Sequence, residues 1–179
     1  IVLLIVLVSV FHSSNGGAVV DNQSKSYASI GSASKEISEE SENNIEWNQF
    51  LADDKSCKIE APADFRKAKL NDDQLFALIC TDYDPAFVAF SEPLKNATAV
   101  GVNTSRQYAQ VVVKNNRNAP GAEKYKKIAE RQLSNGGYVI CYDLTIDGTA
   151  FRYYLVAIKS TTAFYYGLLS CPEAYAGKV

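Results

Sequence analysis

The dipeptide Asp147-Gly148 stands between two segments of alternating apolar and polar residues, and it restricts the fold more than any other feature of the sequence. Asp-Gly favours the two-residue turn of a β-hairpin, which fixes the residues that face each other across the strands. The apolar pairs predicted on one face are Ile140 with Leu155, Tyr142 with Tyr153 and Leu144 with Phe151. On the other face Asp143 lies opposite Arg152. A shift of one residue would destroy both matches, so we predict an antiparallel hairpin of strands 138–146 and 150–158.

A third strand, 163–171, is predicted to extend this hairpin into a three-strand meander through the turn Ser160-Thr161-Thr162. If that turn holds three residues, Cys171 shares a face with Tyr142 and Cys141 lies on the opposite face. The register therefore argues against a disulfide between these two cysteines.

Upstream of the meander, turn residues separate further apolar segments, and we predict strands over 56–61, 74–81, 86–90 and 108–114. The segment Ala122–Leu133 is predicted as the one clear helix, because its apolar residues recur at helical spacing. The sequence Ser170-Cys171-Pro172-Glu173 is typical of a helix start. With seven residues after Pro172, this second helix is either very short or continues beyond Val179. The predicted class is α+β, an antiparallel sheet with a C-terminal meander and flanking helices.

Three parts are predicted along the chain. Residues 1–18 begin with an apolar run that is too short to span a bilayer, and the small and polar residues after it are typical of a secretory signal peptide. Residues 19–46 hold six acidic and two basic side chains with few large apolar ones, which predicts a flexible acidic leader. Residues 47–179 are long enough for one core and are predicted to form a single α+β domain.

The cysteines and sequons are interpreted from this secretory context. Cys57, Cys80, Cys141 and Cys171 lack Cys-x-x-Cys spacing, and their even number in a secreted chain predicts two disulfides. Four buried thiols are the alternative. The sequons at Asn22, Asn96 and Asn103 predict glycosylation if the host glycosylates its secreted proteins.

Several chemistries are excluded by what the sequence lacks. The single histidine, His12, lies in the predicted signal, so the mature chain would have no imidazole for a Ser-His-Asp triad, a Cys-His pair or a histidine-bound zinc. A formal net charge of −2 argues against a generally basic nucleic-acid binder. The sequence also contains no phosphate-binding or dinucleotide-binding glycine motif. We therefore assign no catalytic residue, no cofactor and no metal site.

The carboxylates leave one enzymatic alternative open, a small secreted enzyme that uses acidic residues. The candidates in the predicted domain are Asp72, Asp73, Asp82, Asp84 and Glu92. The Asp82-Tyr83-Asp84 turn offers two oxygen ligands for calcium but lacks the further ligands of a calcium loop, so a solvated turn is favoured. Asp143 and Arg152 offer an acid and a base, although a cross-strand ion pair is the favoured interpretation.

Two groups of side chains are candidate binding surfaces. Tyr153, Tyr154, Tyr165 and Tyr166 form, with Phe164, an aromatic cluster that would line a ligand groove, the alternative being an ordinary core. The charged side of the predicted helix 122–133, with Lys114 and Arg117 nearby, would suit an anionic partner, the alternative being a solvated face.

The order of these elements resembles PsbP-like and DcrB-like secreted domains. The resemblance is carried by Trp47, Phe50 and the strand ending at Pro62, and by the segments Ile146–Ala150, Phe151–Ile158 and Phe164–Leu169 of the meander. It implies an antiparallel sheet sandwiched by helices and non-catalytic roles, in photosynthetic complexes, envelope lipoproteins or nuclear transport factors. The cysteines and the short end depart from the family pattern, and no family binding residue has a match here.

A second resemblance is to cystatins. Gln110-Val111-Val112-Val113 is similar to their inhibitory hairpin, but Lys114 replaces its glycine and the predicted helix follows the motif instead of preceding it. The predicted function is therefore a secreted, non-catalytic binding or accessory protein. Its partner would be an unknown protein or small molecule, without nucleic acid and without a membrane span once the signal is removed. The alternatives are a cystatin-like protease inhibitor and the carboxylate enzyme.

Overall fold

The computed structural model describes residues 9–10, 46–70, 72–80 and 85–176. Its strands are β1 (Ser9–Val10), β2 (Trp47–Leu51), β3 (Cys57–Pro62), β4 (Phe65–Ala68), β5 (Phe76–Cys80), β6 (Ala86–Pro93), β7 (Ala122–Gln132), β8 (Tyr138–Ile146), β9 (Thr149–Lys159) and β10 (Ala163–Pro172). Its helices are α1 (Leu94–Ala99), α2 (Ser105–Arg117) and a 3₁₀ helix, Glu173–Tyr175. Other than Ser9–Val10 and Glu46, the predicted signal and leader lie outside the described residues, so both stay predictions.

Seven strands form one antiparallel sheet in the order β4-β5-β6-β10-β9-β8-β7. The remaining three form a small antiparallel sheet in the order β1-β3-β2. The two α-helices, α1 and α2, pack on one side of the large sheet, which we call the helix face. The small sheet covers part of the opposite side, the ribbon face.

Each face has its own apolar core. On the helix face, Tyr108 and Val112 of α2 pack with Tyr142, Leu155 and Phe164 of the sheet. On the ribbon face, strand β3 buries alternate residues against β5, β6 and β10, a pattern typical of a strand with one side in a core. The predicted α+β architecture is confirmed, with both described helices on the same face.

The hairpin register is the one that the sequence predicts. Ile140 pairs with Leu155 and Asp143 pairs with Arg152. Asp147 and Gly148 have φ angles of 48° and 79°. Positive values at both central positions define a type I′ turn, whose twist matches that of the strands.

The second turn of the meander is one residue longer than predicted. The first pair after it is Lys159 with Phe164. The Ser160 hydroxyl accepts hydrogen bonds from the backbone N–H groups of Thr162 at 3.2 Å and Ala163 at 3.0 Å, which holds an extra residue in the turn. The extra residue reverses the face of every later side chain, so Cys171 lies on the ribbon face together with Cys141.

Two elements differ in type from the prediction, one a helix in place of a strand and the other a strand in place of a helix. The segment predicted as a strand over 108–114 belongs to helix α2, and the predicted helix Ala122–Leu133 is strand β7. Thr104 caps α2, because its hydroxyl accepts from the Gln107 N–H while the Gln107 side chain accepts from the Thr104 N–H. This capping box stabilises the helix by about 1 kcal/mol, more than a valine's weaker helix propensity costs.

Strand β7 pairs irregularly with β8, and this changes the spacing of its apolar residues along the sequence. The register shifts between Glu123 and Lys126 and again between Lys127 and Ala129. Each bulge adds a residue to β7, so Ala122 and Tyr125, three positions apart, both pack against the helix-face core. That spacing is also typical of a helix, but Ile128 is 42% exposed and Ala129 pairs with Cys141 of the ribbon face.

The C-terminal segment also differs from the prediction. Strand β10 continues to Pro172, and the 3₁₀ helix Glu173–Tyr175 follows it. Within the described residues, neither α-helix has the length and apolar character that a bilayer crossing requires.

Candidate functional site

A groove of about 490 Å³ lies between α1 and α2 on the helix face. Its size is within the range of small-molecule sites. Its lining combines apolar, aromatic and polar side chains: Glu92, Asn96, Ala97, Val100, Val102, Tyr108, Val111, Val112, Asn115, Asn116 and Tyr166.

The floor of the groove is aromatic. Tyr166 of β10 stacks on Phe90 of β6 with ring centroids 5.1 Å apart, and it meets the ring of Tyr108 edge-on at 6.0 Å. Tyr108 in turn stacks on Phe164 at 4.8 Å. Burial, and then the nearby Tyr166 and Glu92, raise the pKa of Tyr108, so its hydroxyl stays neutral and able to donate a hydrogen bond.

Polar groups lie at both ends of this floor. At one end the Asn96 amide donates to Glu92 Oε1 at 2.6 Å. At the other end the Asn116 amide donates to the Tyr142 hydroxyl at 2.7 Å. A ligand in the groove would therefore contact an aromatic surface between one carboxylate and several amides.

Two valines at the mouth of the groove are unusually exposed for apolar residues. Val100 at the end of α1 is 78% exposed and Val111 on α2 is 39% exposed. Exposed apolar groups beside a concave surface are typical of a binding site. Hydrogen bonds position both α-helices. The Leu94 N–H donates to the Thr162 carbonyl at 2.8 Å, and the side chains of the capping box fix the start of α2.

The four tyrosines of the predicted ligand groove lie on both faces of the large sheet. The strand pleat divides the four residues between the two faces, with Tyr153 and Tyr166 on the helix face and Tyr154 and Tyr165 on the ribbon face. Of the four, only Tyr166 lines the groove. Tyr153 instead stacks on Tyr142 at 5.1 Å and packs against the helix-face core.

Asp143 and Arg152 form the predicted cross-strand ion pair. Arg152 donates from Nε to Asp143 Oδ1 at 2.7 Å and from Nη2 to Oδ2 at 3.1 Å. The hydrogen bond to Asp143 raises the pKa of Arg152. Because each charged group binds the other through two hydrogen bonds, the pair is better suited to stabilising the sheet than to acid and base catalysis.

We expect Asp143→Ala to lower the free energy of unfolding by about 1–3 kcal/mol, because it leaves a partly buried guanidinium without its partner. Urea denaturation of the Asp143→Ala, Arg152→Ala and double variants gives the coupling energy directly. The matched control is Asp72→Ala, which breaks the 2.7 Å ion pair of Asp72 with Lys69, where the side chains are 88% and 76% exposed. That variant should cost less than about 1 kcal/mol, and equal costs in both pairs would contradict the prediction.

No disulfide joins the four cysteines, all of which the structure describes, and three of them are buried. The two predicted disulfides are therefore not formed, and the reason given for separating Cys141 from Cys171 is wrong, since both lie on the ribbon face. Strand β9 runs between them, so their Cα atoms lie roughly two strand spacings, about 10 Å, apart. A disulfide requires less than about 7 Å.

The thiols are also poorly suited to nucleophilic chemistry. Burial, with the nearby Asp54, raises the pKa of Cys57 to about 11. Burial likewise raises the pKa of Cys141 and of Cys171. A raised pKa keeps a thiol protonated at neutral pH and lowers its reactivity.

The other predicted site residues do not come together. Asp82 and Asp84 lie outside the described residues, and no group of three or more metal-ligating side chains occurs among the residues that are described. Asp72 and Asp73 are exposed, whereas Glu92 belongs to the groove. Of the sequons, Asn96 and Asn103 are exposed and Asn22 is outside the described part.

The structure disagrees with the resemblance to cystatins. Its Gln110–Val113 motif lies inside α2, where Val112 and Val113 face the core. An inhibitory hairpin loop would have to project these residues into solvent.

No protein-family model matches the sequence, and no curated protein does. The structure is similar to the solution structure of cyanobacterial PsbP (CyanoP) from Synechocystis, with a TM-score of 0.55 and 10% identity over 79% of this chain and 89% of that one. LpqN of Mycobacterium tuberculosis, described as involved in cell envelope biogenesis, aligns with a TM-score of 0.44 and 12% identity over 76% of this chain and 78% of LpqN. Its sheet order, its meander and its likeness to cyanobacterial PsbP give this chain a PsbP-like α+β fold.

Proposed function

We propose that the chain is an extracytoplasmic, non-catalytic binding or accessory protein whose ligand occupies the groove between α1 and α2. The groove carries this proposal, because it joins an aromatic floor to hydrogen-bonding groups and an exposed apolar mouth. The PsbP-like fold supports it through the non-catalytic roles that the family resemblance implies. Fold by itself is weak support for function, so the groove is the part to test.

The extracytoplasmic location is supported by the apolar and then polar residues of segment 1–18. The cysteines do not support it, since no disulfide joins them in the structure. The non-catalytic role is supported by the neutral thiols and by the commitment of Arg152 to Asp143.

The neutral fluorophore N-phenyl-1-naphthylamine is a suitable probe, because it is apolar and is not repelled by Glu92. We expect its fluorescence to increase on binding to the full chain. Val111→Asp should weaken that binding about tenfold, because the variant places a charge at the apolar mouth of the groove.

The matched control is Leu70→Asp, which changes a 54% exposed leucine outside the groove and should leave the affinity for the fluorophore unchanged. Thermal unfolding of each variant confirms that it is folded. Unchanged affinity in folded Val111→Asp would overturn the assignment of the ligand to this groove.

A further inference from the structure

Positive charge is concentrated in the stretch that forms α2 and β7. The two elements contain seven basic residues and two acidic ones, in a chain of formal net charge −2. The basic residues are Arg106, Lys114, Arg117, Lys124, Lys126, Lys127 and Arg131, and all are exposed. We call this surface the basic edge.

The basic residues lie on both sides of this edge of the sheet, those of α2 on the helix face and Lys126 and Arg131 of β7 on the ribbon face. The Arg117 guanidinium lies over the ring of Tyr125 at 4.3 Å, which joins the end of α2 to the start of β7. The Arg106 guanidinium lies 5.7 Å from the ring of Tyr138. Hydrogen bonds from Lys127 and Tyr138 lower the pKa of Glu130, and the charge of Arg106 lowers it further. Helix α2 packs on β8 and β9 and also contacts β7. It carries an arginine near each end, and an aromatic ring beneath each guanidinium limits its motion.

Few of these charges have a carboxylate partner. Lys127 pairs with Glu130 at 2.8 Å. Lys126 lies opposite Asp143 in the register, but Arg152 already binds that carboxylate through two hydrogen bonds. Among the described residues, the basic side chains of the edge with no carboxylate within 4 Å include Lys114, Lys124, Lys126 and Arg131.

Among the described strands, β7 is the last in the large sheet, and no further described strand pairs with its outer side. Lysines and bulges on an edge strand oppose pairing with a second copy of the same strand, because like charges would meet. The same charges favour a partner of opposite sign. We propose that the basic edge docks an acidic polypeptide segment of a partner protein, a surface separate from the groove.

The acidic residues of the edge favour a polypeptide over a uniformly anionic surface. Glu123 and Glu130 each directly precede a cation of β7, Lys124 and Arg131. A lipid headgroup layer or a phosphate backbone would present negative charge to these glutamates as well. A polypeptide can place its carboxylates opposite the lysines and arginines alone, and arginine pairs with a carboxylate through two parallel hydrogen bonds.

A fluorescein-labelled glutamate dodecamer, titrated with the full chain at low ionic strength, tests this proposal. The variant is Lys126→Glu with Arg131→Glu, and we expect it to bind at least about tenfold more weakly than the unchanged chain. The matched control is Arg66→Glu with Lys69→Glu, which makes the same charge change at and beside β4, the opposite edge of the sheet. The control should keep its affinity within about twofold, since distant exposed charges are screened.

Three outcomes would overturn the proposal. Equal weakening in both double variants would show a response to net charge alone. Binding to vesicles of equal parts phosphatidylserine and phosphatidylcholine without binding to the peptide would assign the edge to a membrane surface. Self-association lost only in the β7 variant would assign it to a second copy. Binding of N-phenyl-1-naphthylamine should be unchanged in both double variants, so this test is independent of the groove.

Discussion

Replacing Phe164 by alanine is expected to lower the free energy of unfolding by about 3–5 kcal/mol, a large fraction of the stability of a domain of this size. Phe164 is 0% exposed and lies where β10 meets helix α2. Its ring stacks on Tyr108 at 4.8 Å, so its removal leaves a cavity that the packed sheet and helix cannot close. Urea denaturation followed by far-ultraviolet circular dichroism measures the loss.

The control for Phe164 is an apolar residue in solvent. Leu70 is 54% exposed, and Leu70→Ala should change the free energy of unfolding by less than about 0.5 kcal/mol. A cost near 1 kcal/mol for Phe164→Ala would contradict the packing described for the helix face. The aromatic floor of the groove would then rest on a poorly packed layer, and its shape would have to be reconsidered.

Gly167→Ala is expected to cost about 1–3 kcal/mol, although alanine is usually a mild replacement. A Cβ atom at Gly167 would lie 2.6 Å and 2.7 Å from two ring atoms of Phe87. Neither partner can easily move, because β10 is paired on both sides and Phe87 is only 3% exposed. The same denaturation measurement gives the loss.

Combining Gly167→Ala with Phe87→Leu tests whether the Phe87 ring is the reason that alanine at position 167 destabilises the fold. The smaller side chain makes room for the added methyl group, so the double variant should be more stable than the sum of the two single effects predicts. Simple additivity would show that the ring of Phe87 is not what excludes a side chain at this position.

The meander could be predicted because local and long-range preferences agree there. Asp147-Gly148 specifies the turn, and alternation places Tyr142 and Leu155 in the core. The predicted length of the second turn is wrong by one residue. The length depends on hydrogen bonds of the Ser160 side chain, which strand patterns do not encode. That single residue changed the face of Cys171 and, with it, the expected relation between two cysteines.

The groove was missed because α2 was interpreted as a strand. Three consecutive valines suggest a strand, whereas the helical signals were the Thr104 and Gln107 capping box and the buried spacing of Tyr108 and Val112. Helix α1 is six residues long, too short for a periodic pattern to identify. Of the groove residues, only Tyr166 was assigned to a ligand surface from the sequence, since the others meet through the tertiary fold.

The position of β10 determines when this fold can be completed. It is the last strand of the described chain, yet it lies in the middle of the large sheet, between β6 and β9. During synthesis, β4 to β6 and β7 to β9 have no common neighbour until residues 163–172 have emerged from the ribosome. Folding that waits for such distant contacts is slow, so the two parts of the large sheet stay separate until β10 has been synthesised.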